Sequence, residues 1–322
     1  TGPSLTAKEI ADILFPPMLS RKHRKGRRRG FYLTAKDALK KCFSKDMNHK
    51  DQILTSKEMS PVDCLLKLRY GRKKRARRLA RNTFLQNHWV MGVEKEQRVK
   101  WGWRGKLHLV PELAAGRYLR HMKWVERTSR DFAFFFKKIS ESAKAPIRYR
   151  WTHIAMKFFR SVRRRTPSAY ALNWSVAYNV SGSLMRYYRG VRETLFHEIF
   201  HLNDAEQDEW STKALKGLYD SIVKKCTKRG RLQNRCLTPY APHHTIIRRL
   251  GIYYAFHHES GVVEYAAELA LRYYREHRAI LLKKRRIRPF KCLKPENAIA
   301  WKKMSKTFFG GVDLVPSCRR AK

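Results

Sequence analysis

FHEIFHLND, residues 196–204, is the stretch that most constrains the fold of this chain. It contains the pattern His-Glu-x-x-His, formed by His197, Glu198 and His201. Residues four apart lie on one face of an α-helix, so both imidazoles can reach a single metal ion. Glu198 lies beside them, where a carboxylate can accept a proton from a metal-activated water. The alternative interpretation is a pair of structural histidines on a buried helix.

The sequence on either side of the motif predicts the elements that such a site requires. Residues 189–202 predict a helix that carries both histidines. YALNWSVAYNV, residues 170–180, has the composition of a β-strand. Residues 261–278 predict a later helix, on which Glu264 and Glu268 stand among apolar residues and alanines. Glu264 is therefore a candidate for a third metal ligand.

FHEIFHLND followed downstream by VEYAAELA (residues 263–270) resembles the Glu-zincin metallopeptidases. The resemblance implies an α+β fold: a mainly helical zincin-like domain with a small sheet. It implies that His197, His201 and Glu264 bind Zn²⁺ and that Glu198 is the general base. Glu268 would then support a ligand or act as an alternative ligand.

Three further residues of the site follow from the same resemblance. Asp204 matches an acidic position common in such peptidases, and helix capping is its equally weighted alternative. Tyr253 or Tyr254 is expected to supply a hydroxyl that stabilises the transition state.

His243–His244 and His257–His258 are also weighed as ligands, but paired histidines beside loops more often face RNA or solvent.

The charge of the chain points to a different kind of partner. The 322 residues include 72 Lys+Arg and 26 Asp+Glu, a formal net charge of +46. With such a charge, the chain cannot be only an ordinary soluble enzyme. The charge implies a polyanionic partner. The hydrophobic fraction of 43% also excludes a disordered basic tail.

Runs of basic residues without acids predict contacts with phosphates, because each neutralised phosphate releases condensed counterions. YGRKKRARR, residues 70–78, resembles the arginine-rich RNA-binding peptides of lentiviral transactivators, and Tyr70 is a candidate for stacking on bases. A membrane surface is the alternative partner. The residues predicted to contact RNA are Arg21, Lys22, Arg24, Lys25, Arg27, Arg28, Arg29, Arg69, Arg72, Lys73, Lys74, Arg75, Arg77, Arg78, Lys283, Lys284, Arg285, Arg286 and Arg288.

These patterns predict three regions: a basic RNA-binding region over 1–150, a zincin-like domain over 151–282 and a basic tail over 283–322. Helices are predicted at 35–43 and 61–82, and no apolar stretch is long enough to span a membrane. The six cysteines are scattered without a CxxC pair. We therefore expect them to be reduced, in a reducing compartment.

Two functions remain open from the sequence. The basic, Trp-rich composition resembles mitochondrial ribosomal proteins. This favours a structural, rRNA-binding component of a mitochondrial ribosome, in the matrix and beside neighbouring ribosomal proteins, built around a zincin-like fold. The alternative is an active zinc endopeptidase, or a ribosome assembly factor that retains the His-Glu-x-x-His site. Whether the chain is an enzyme is left undecided.

Overall fold

A computed structural model describes residues 5–17, 33–43, 59–100, 105–247, 251–257, 261–283 and 288–318 of the chain. The fold mixes α-helices with β-strands. The chain divides into two units: unit 1 is Thr1–Ala133 with Trp151–Leu195, and unit 2 is Phe134–Arg150 with Phe196–Lys322. The predicted boundaries, at residues 150 and 282, differ from this division. Two of the borders between the units lie inside helices, and amino-acid composition does not change there, so composition could not locate them.

Unit 1 contains a mixed sheet of short strands. The strands are β1 (Val90–Val93), β2 (Gln97–Lys100), β3 (Lys106–Pro111), β4 (Ala155–Ser161), β5 (Ala169–Leu172) and β6 (Ser175–Asn179). The order is β2-β3-β4-β6-β5, and β1 also pairs with β4. β4 runs parallel to β1 and β6 and antiparallel to β3. Leu107, Leu109, Phe159 and Ala177 form a buried cluster within this sheet.

The segment predicted as one strand over 170–180 is instead the hairpin β5–β6. Asn173 and Trp174 form its turn, with φ of +48° and +51°. A two-residue hairpin turn with positive φ at both positions matches the twist of the strands, and Asn tolerates that conformation. The prediction was wrong because the flanking β-rich composition concealed a turn that contains neither Gly nor Pro.

Four helices of unit 1 lie at the N-terminal end of the described chain: α1 (Ala7–Leu14), α2 (Ala35–Cys42), α3 (Met59–Tyr70) and α4 (Lys74–Asn87). The helix predicted over 61–82 is therefore two helices, interrupted at Gly71, whose φ is +52°. A further glycine, Gly92 in β1, lets α1 approach closely, because a Cβ there would meet the Ile13 carbonyl oxygen at 2.1 Å.

Helix α5 (Leu119–Ser140) and helix α6 (Tyr188–Glu206) begin in unit 1 and end in unit 2. Unit 2 continues with α7 (Trp210–Cys226), β7 (Thr227–Lys228), β8 (Arg231–Leu232), α8 (Asn234–Leu237), β9 (Ile246–Ile247), β10 (Ile252–Tyr253), α9 (Gly261–Leu281) and α10 (Pro295–Phe308). The helices predicted over 189–202 and 261–278 are confirmed by α6 and α9. None of the described helices has both the length and the apolarity that crossing a membrane requires.

The predicted basic tail is largely folded. Within 288–318, helix α10 buries Trp301, Met304 and Phe308, which are at most 1% exposed. This helix was not predicted, because its apolar residues stand among basic residues in the sequence. Lys283 and Arg288 are exposed, whereas the predicted contacts of Lys284, Arg285 and Arg286 lie outside the described residues.

All six cysteines form disulfides: Cys42–Cys64, Cys226–Cys236 and Cys292–Cys318. The expectation of reduced cysteines is therefore wrong. The paired residues lie 22, 10 and 26 positions apart, and each bridge joins segments of a single unit. Such spacings carry no sequence signature, because connectivity depends on which helices pack together.

Candidate metal centre

The start of the His-Glu-x-x-His motif is held by a stack of buried aromatic rings in unit 2. Phe196 precedes His197, and its ring stacks on Tyr274 of α9 at 4.3 Å and on Tyr149 at 4.9 Å between centroids. The Tyr149 hydroxyl donates a hydrogen bond of 2.8 Å to the Phe196 carbonyl oxygen. This packing fixes both the position and the rotation of α6 where the motif begins.

The other end of the motif is fixed by Asn203, which is 1% exposed. Its Oδ1 accepts from the Arg150 backbone N–H at 2.6 Å. Its Nδ2 donates to the carbonyl oxygens of Arg150 and Ile199, both at 2.8 Å. Asn203 could not be predicted as a functional residue, since a lone amide at the end of a helical motif has no distinguishing spacing.

His197, His201 and Glu264 converge, and they are the group of potential metal ligands found among the described residues. His197 Nε2 lies 2.9 Å from Glu264 Oε2 and 3.1 Å from His201 Nε2. His201 Nε2 lies 3.4 Å from Glu264 Oε2. The side chains are 13%, 18% and 18% exposed, so the cluster is partly shielded and still open to solvent.

These three atoms fit a zinc ion by the chemistry of the donors and by their spacing. Two imidazole nitrogens and one carboxylate oxygen are the donor types of catalytic zinc sites, which keep one position open. Bonds of about 2.0–2.1 Å in a tetrahedron place ligand atoms roughly 3.3 Å apart. The observed separations of 2.9, 3.1 and 3.4 Å lie around that value.

The electrostatics of the cluster also favour a cation. Burial alone would lower the pKa of His201, but the neighbouring Glu264, and then Glu198 and Asp204, outweigh it and raise the pKa to about 9. Burial would raise the pKa of Glu264, yet the two histidines hold it well below its usual value. The same carboxylates that raise the pKa of His201 would also attract a bound cation.

Two other predicted residues lie at or near the cluster. The Tyr254 hydroxyl donates to Glu264 Oε1 at 2.8 Å. Tyr253 instead pairs its hydroxyl with Thr238 Oγ1 at 3.0 Å, so Tyr254 is the candidate of the two. Glu198 is half-buried on α6 and close enough to His201 to raise its pKa.

Asp204 and Glu268 do not join the three converging residues. The Asp204 carboxylate accepts from the Ser211 backbone N–H at 2.7 Å and from its hydroxyl at 2.6 Å, so it caps the first turn of α7. Glu268 is 3% exposed, and its Oε2 has no hydrogen-bond partner among the described residues. Burial first and the nearby Glu264 second raise the pKa of Glu268 well above its usual value.

The paired histidines have different surroundings. His257 is 1% exposed, so its expected orientation towards RNA or solvent is wrong. His243 Nδ1 lies 2.7 Å from Thr245 Oγ1, and His244 is exposed. His258 lies outside the described residues.

Comparisons with protein families, with curated protein sequences and with solved structures find no match to this chain. The side-chain geometry is therefore the basis for any assignment of function.

In unit 1, the described part of the longest basic run forms a surface at the start of α4. Five of its cations are exposed and Arg77 is half-buried; none forms an ion pair with an acid in the described ranges. The four of them on α4 lie away from its buried residues Ala76, Ala80 and Phe84, and the other two directly precede the helix. We call this the α4 basic surface: Arg72, Lys73, Lys74, Arg75, Arg77 and Arg78.

Two residues assigned to RNA do not belong to the α4 basic surface. Arg69 is 4% exposed, with its guanidinium over the Phe15 ring at 5.6 Å. Burial lowers its pKa to about 10. Tyr70 is 3% exposed and donates its hydroxyl to the Met91 carbonyl oxygen, so it cannot stack on bases. The predicted contacts of residues 21–29 lie outside the described residues.

Proposed function

We propose that this chain is a zinc-dependent peptidase with a zincin-like fold. The observation that carries the proposal is the convergence of His197, His201 and Glu264, whose donor atoms lie 2.9–3.4 Å apart. The ligands would be these three side chains, and the open side of the cluster would receive water and substrate. Both the identity of the donors and their partial exposure support a catalytic rather than a purely structural metal.

In this proposal zinc, when bound, supplies Lewis-acid chemistry that activates a water and polarises a peptide carbonyl. Glu198 accepts a proton from the attacking water and returns it to the leaving amide nitrogen. When substrate binds, the Tyr254 hydroxyl leaves Glu264 Oε1 and donates its one hydrogen bond to the substrate oxygen that gains negative charge. Phe196 and Asn203 hold α6 so that Glu198 keeps its position.

The disulfides support this function over a role in a reducing compartment. Three pairs account for all six cysteines, and disulfides persist mainly in oxidising compartments. A secreted or otherwise oxidised location is consistent with a peptidase that encounters its substrates outside the reducing interior of the cell.

The test is cleavage of a denatured protein by the zinc-loaded chain. We expect cleavage that a chelator abolishes and added zinc restores. Glu198→Gln should lower the rate by roughly 10²–10⁴-fold, the usual contribution of a general base, without loss of zinc. Glu206→Gln is the matched control on the same helix, because its carboxylate pairs with Arg150 at 3.7 Å, outside the cluster. Equal rates for Glu198→Gln and the control would refute the proposal.

A second candidate function is a structural, rRNA-binding component of a mitochondrial ribosome in the matrix, in contact with neighbouring ribosomal proteins. The α4 basic surface and the net charge of +46 favour it. A ribosome assembly factor would use the same RNA contacts. The disulfides weigh against both, so we rank them below the peptidase.

A further inference from the structure

The sequence contains two copies of the pattern Asn-x-Ser in which x is not proline: Asn173-Trp174-Ser175 and Asn179-Val180-Ser181. This tripeptide is the acceptor signal for N-linked glycosylation, which in secreted proteins lies on surface loops. Asn173 precedes strand β6 and Asn179 is its last residue. The two asparagines have different surroundings, and the difference indicates which of them can carry an oligosaccharide.

Asn173 lies in the turn of the β5–β6 hairpin, where it is exposed. Its side-chain amide forms no hydrogen bond with any described residue. Leu172, which precedes it, is 63% exposed. Among the strands of unit 1, β5 pairs with β6 alone and is therefore an edge of the sheet. An oligosaccharide on Asn173 Nδ2 would extend into solvent and displace none of these elements.

Asn179 is 0% exposed, and its side-chain amide is fully used. Its Nδ2 donates to Ser161 Oγ at 2.9 Å and to the Pro167 carbonyl oxygen at 2.8 Å. Its Oδ1 accepts from the backbone N–H and the hydroxyl of Ser181, at 3.0 and 2.8 Å. A sugar on Nδ2 replaces one of the two amide hydrogens, so it would break a buried hydrogen bond in a place without room. The folded chain therefore excludes a glycan on Asn179.

The cysteines provide an independent indication of the same processing route. All six form disulfides, and disulfides form and persist mainly in oxidising compartments such as the lumen of the endoplasmic reticulum. N-linked glycosylation is likewise a modification of chains that pass through that lumen. The bridges and the exposed acceptor signal are therefore consistent with a single compartment.

We propose that Asn173 is an N-linked glycosylation site of this chain and that Asn179 is not. The donor is an oligosaccharide joined through a diphosphate to a polyisoprenyl lipid. Asn173 Nδ2 forms a bond to C1 of the first sugar and loses one proton. The bond from C1 to the diphosphate oxygen breaks, and its electron pair leaves with the lipid diphosphate. The proposal goes beyond the peptidase function and does not depend on the metal cluster.

The hydrogen bonds of the hairpin also set the order of events. The Ser175 hydroxyl, which completes the acceptor signal, donates to the Leu172 carbonyl oxygen at 2.6 Å, and Ser175 is 8% exposed. A transferase can reach this hydroxyl only before the hairpin closes. Transfer therefore precedes folding, and folding then retains chains modified at Asn173 and rejects those modified at Asn179.

The first arm of the test uses the protein purified from its natural source. A glycosidase that releases N-linked glycans converts each modified asparagine to aspartate, and in heavy-oxygen water the new carboxyl group is labelled. Peptide mass spectrometry should find the label at Asn173 and none at Asn179. An unmodified Asn173 would overturn the proposed site, and a label at Asn179 would overturn the argument from burial.

The second arm uses variants of the full chain, directed into the secretory pathway of cultured animal cells. The wild type should carry one glycan, seen as a single step in electrophoretic mobility after glycosidase treatment. Asn173→Asp should lose it, because it removes the acceptor and keeps a residue type that tolerates the turn. Ser175→Ala should also lose it, because it removes the hydroxyl of the signal.

Two matched variants should keep the glycan. Ser175→Thr retains a hydroxyl at the same position, and Ser181→Ala removes the signal at Asn179 alone. A glycan that persists in Asn173→Asp, or one that is lost in Ser181→Ala, would overturn the assignment to Asn173.

Failure of this proposal is distinguishable from failure of the proposed function. An unmodified Asn173 leaves zinc binding and peptide cleavage to be decided by their own measurements. The second candidate function, in the mitochondrial matrix, predicts an unmodified Asn173, so a glycan there on the natural protein also counts against that candidate.

Discussion

The candidate metal cluster of unit 2 (His197, His201 and Glu264) and the α4 basic surface of unit 1 both bear on the proposed functions, and they are built in opposite ways. In the cluster, His197, His201 and Glu264 are partly buried and each lies within 3.4 Å of the other two. On the α4 basic surface, six cations form no ion pair with the described acids.

The difference shows how burial determines what the positions of charged groups indicate about function. Partly buried charged groups must satisfy one another, so their positions report a chemical arrangement. Exposed cations are solvated and take no fixed arrangement until a polyanion orders them. The cluster therefore indicates which atoms could bind a metal ion, whereas the basic surface indicates that its partner is negatively charged.

The largest expected effect concerns the α4 basic surface. Neutralising Arg72, Lys73, Lys74 and Arg75 to Gln should weaken binding to structured RNA by roughly 10³-fold at 100 mM salt if all four contact phosphates. The slope of log affinity against log salt should fall by about 3 to 4, because each contact contributes about 0.9. Titrations at several salt concentrations measure both quantities.

The matched control for that experiment is the buried Arg69. Arg69→Met removes one positive charge from the same run, but from a side chain that is 4% exposed. We expect the salt slope to remain that of the wild type. If Arg69→Met lowered the salt slope by as much as the loss of one exposed cation does, burial would not distinguish Arg69 from the residues that contact RNA.

A smaller effect is expected within the cluster. Tyr254→Phe should lower kcat by about 10²-fold, the lower range for one hydrogen-bond donor to a developing oxyanion, with KM little changed. Tyr253→Phe is the control, because its hydroxyl is paired with Thr238 instead of Glu264. The assignment of Tyr254 fails if the two variants lose activity equally.

Much of the candidate metal cluster could be predicted from the sequence. The four-residue spacing fixes His197 and His201 on one helix face, and the downstream helix with Glu264 is found as α9. Asn203 could not be predicted, since its importance lies in bonds to Arg150, a residue distant in sequence. Long-range hydrogen bonds leave no periodic pattern.

Less of the basic region could be predicted, for a related physical reason. Composition gives the charge of residues 69–78 but does not show which side chains turn inward. Arg69 and Tyr70 are buried because α3 packs them against Phe15 and Met91. The three disulfides were missed for the same reason, because tertiary packing determined them.

In the proposed function, His197, His201 and Glu264 form one zinc site, and metal analysis of the purified chain is the decisive experiment. After dialysis against excess zinc and then zinc-free buffer, the wild type should retain about one zinc per chain. His197→Ala should retain almost none, whereas His244→Ala, which removes an exposed imidazole outside the cluster, should match the wild type. A wild type without zinc, or a His197→Ala variant that retains as much as the wild type, would contradict the account.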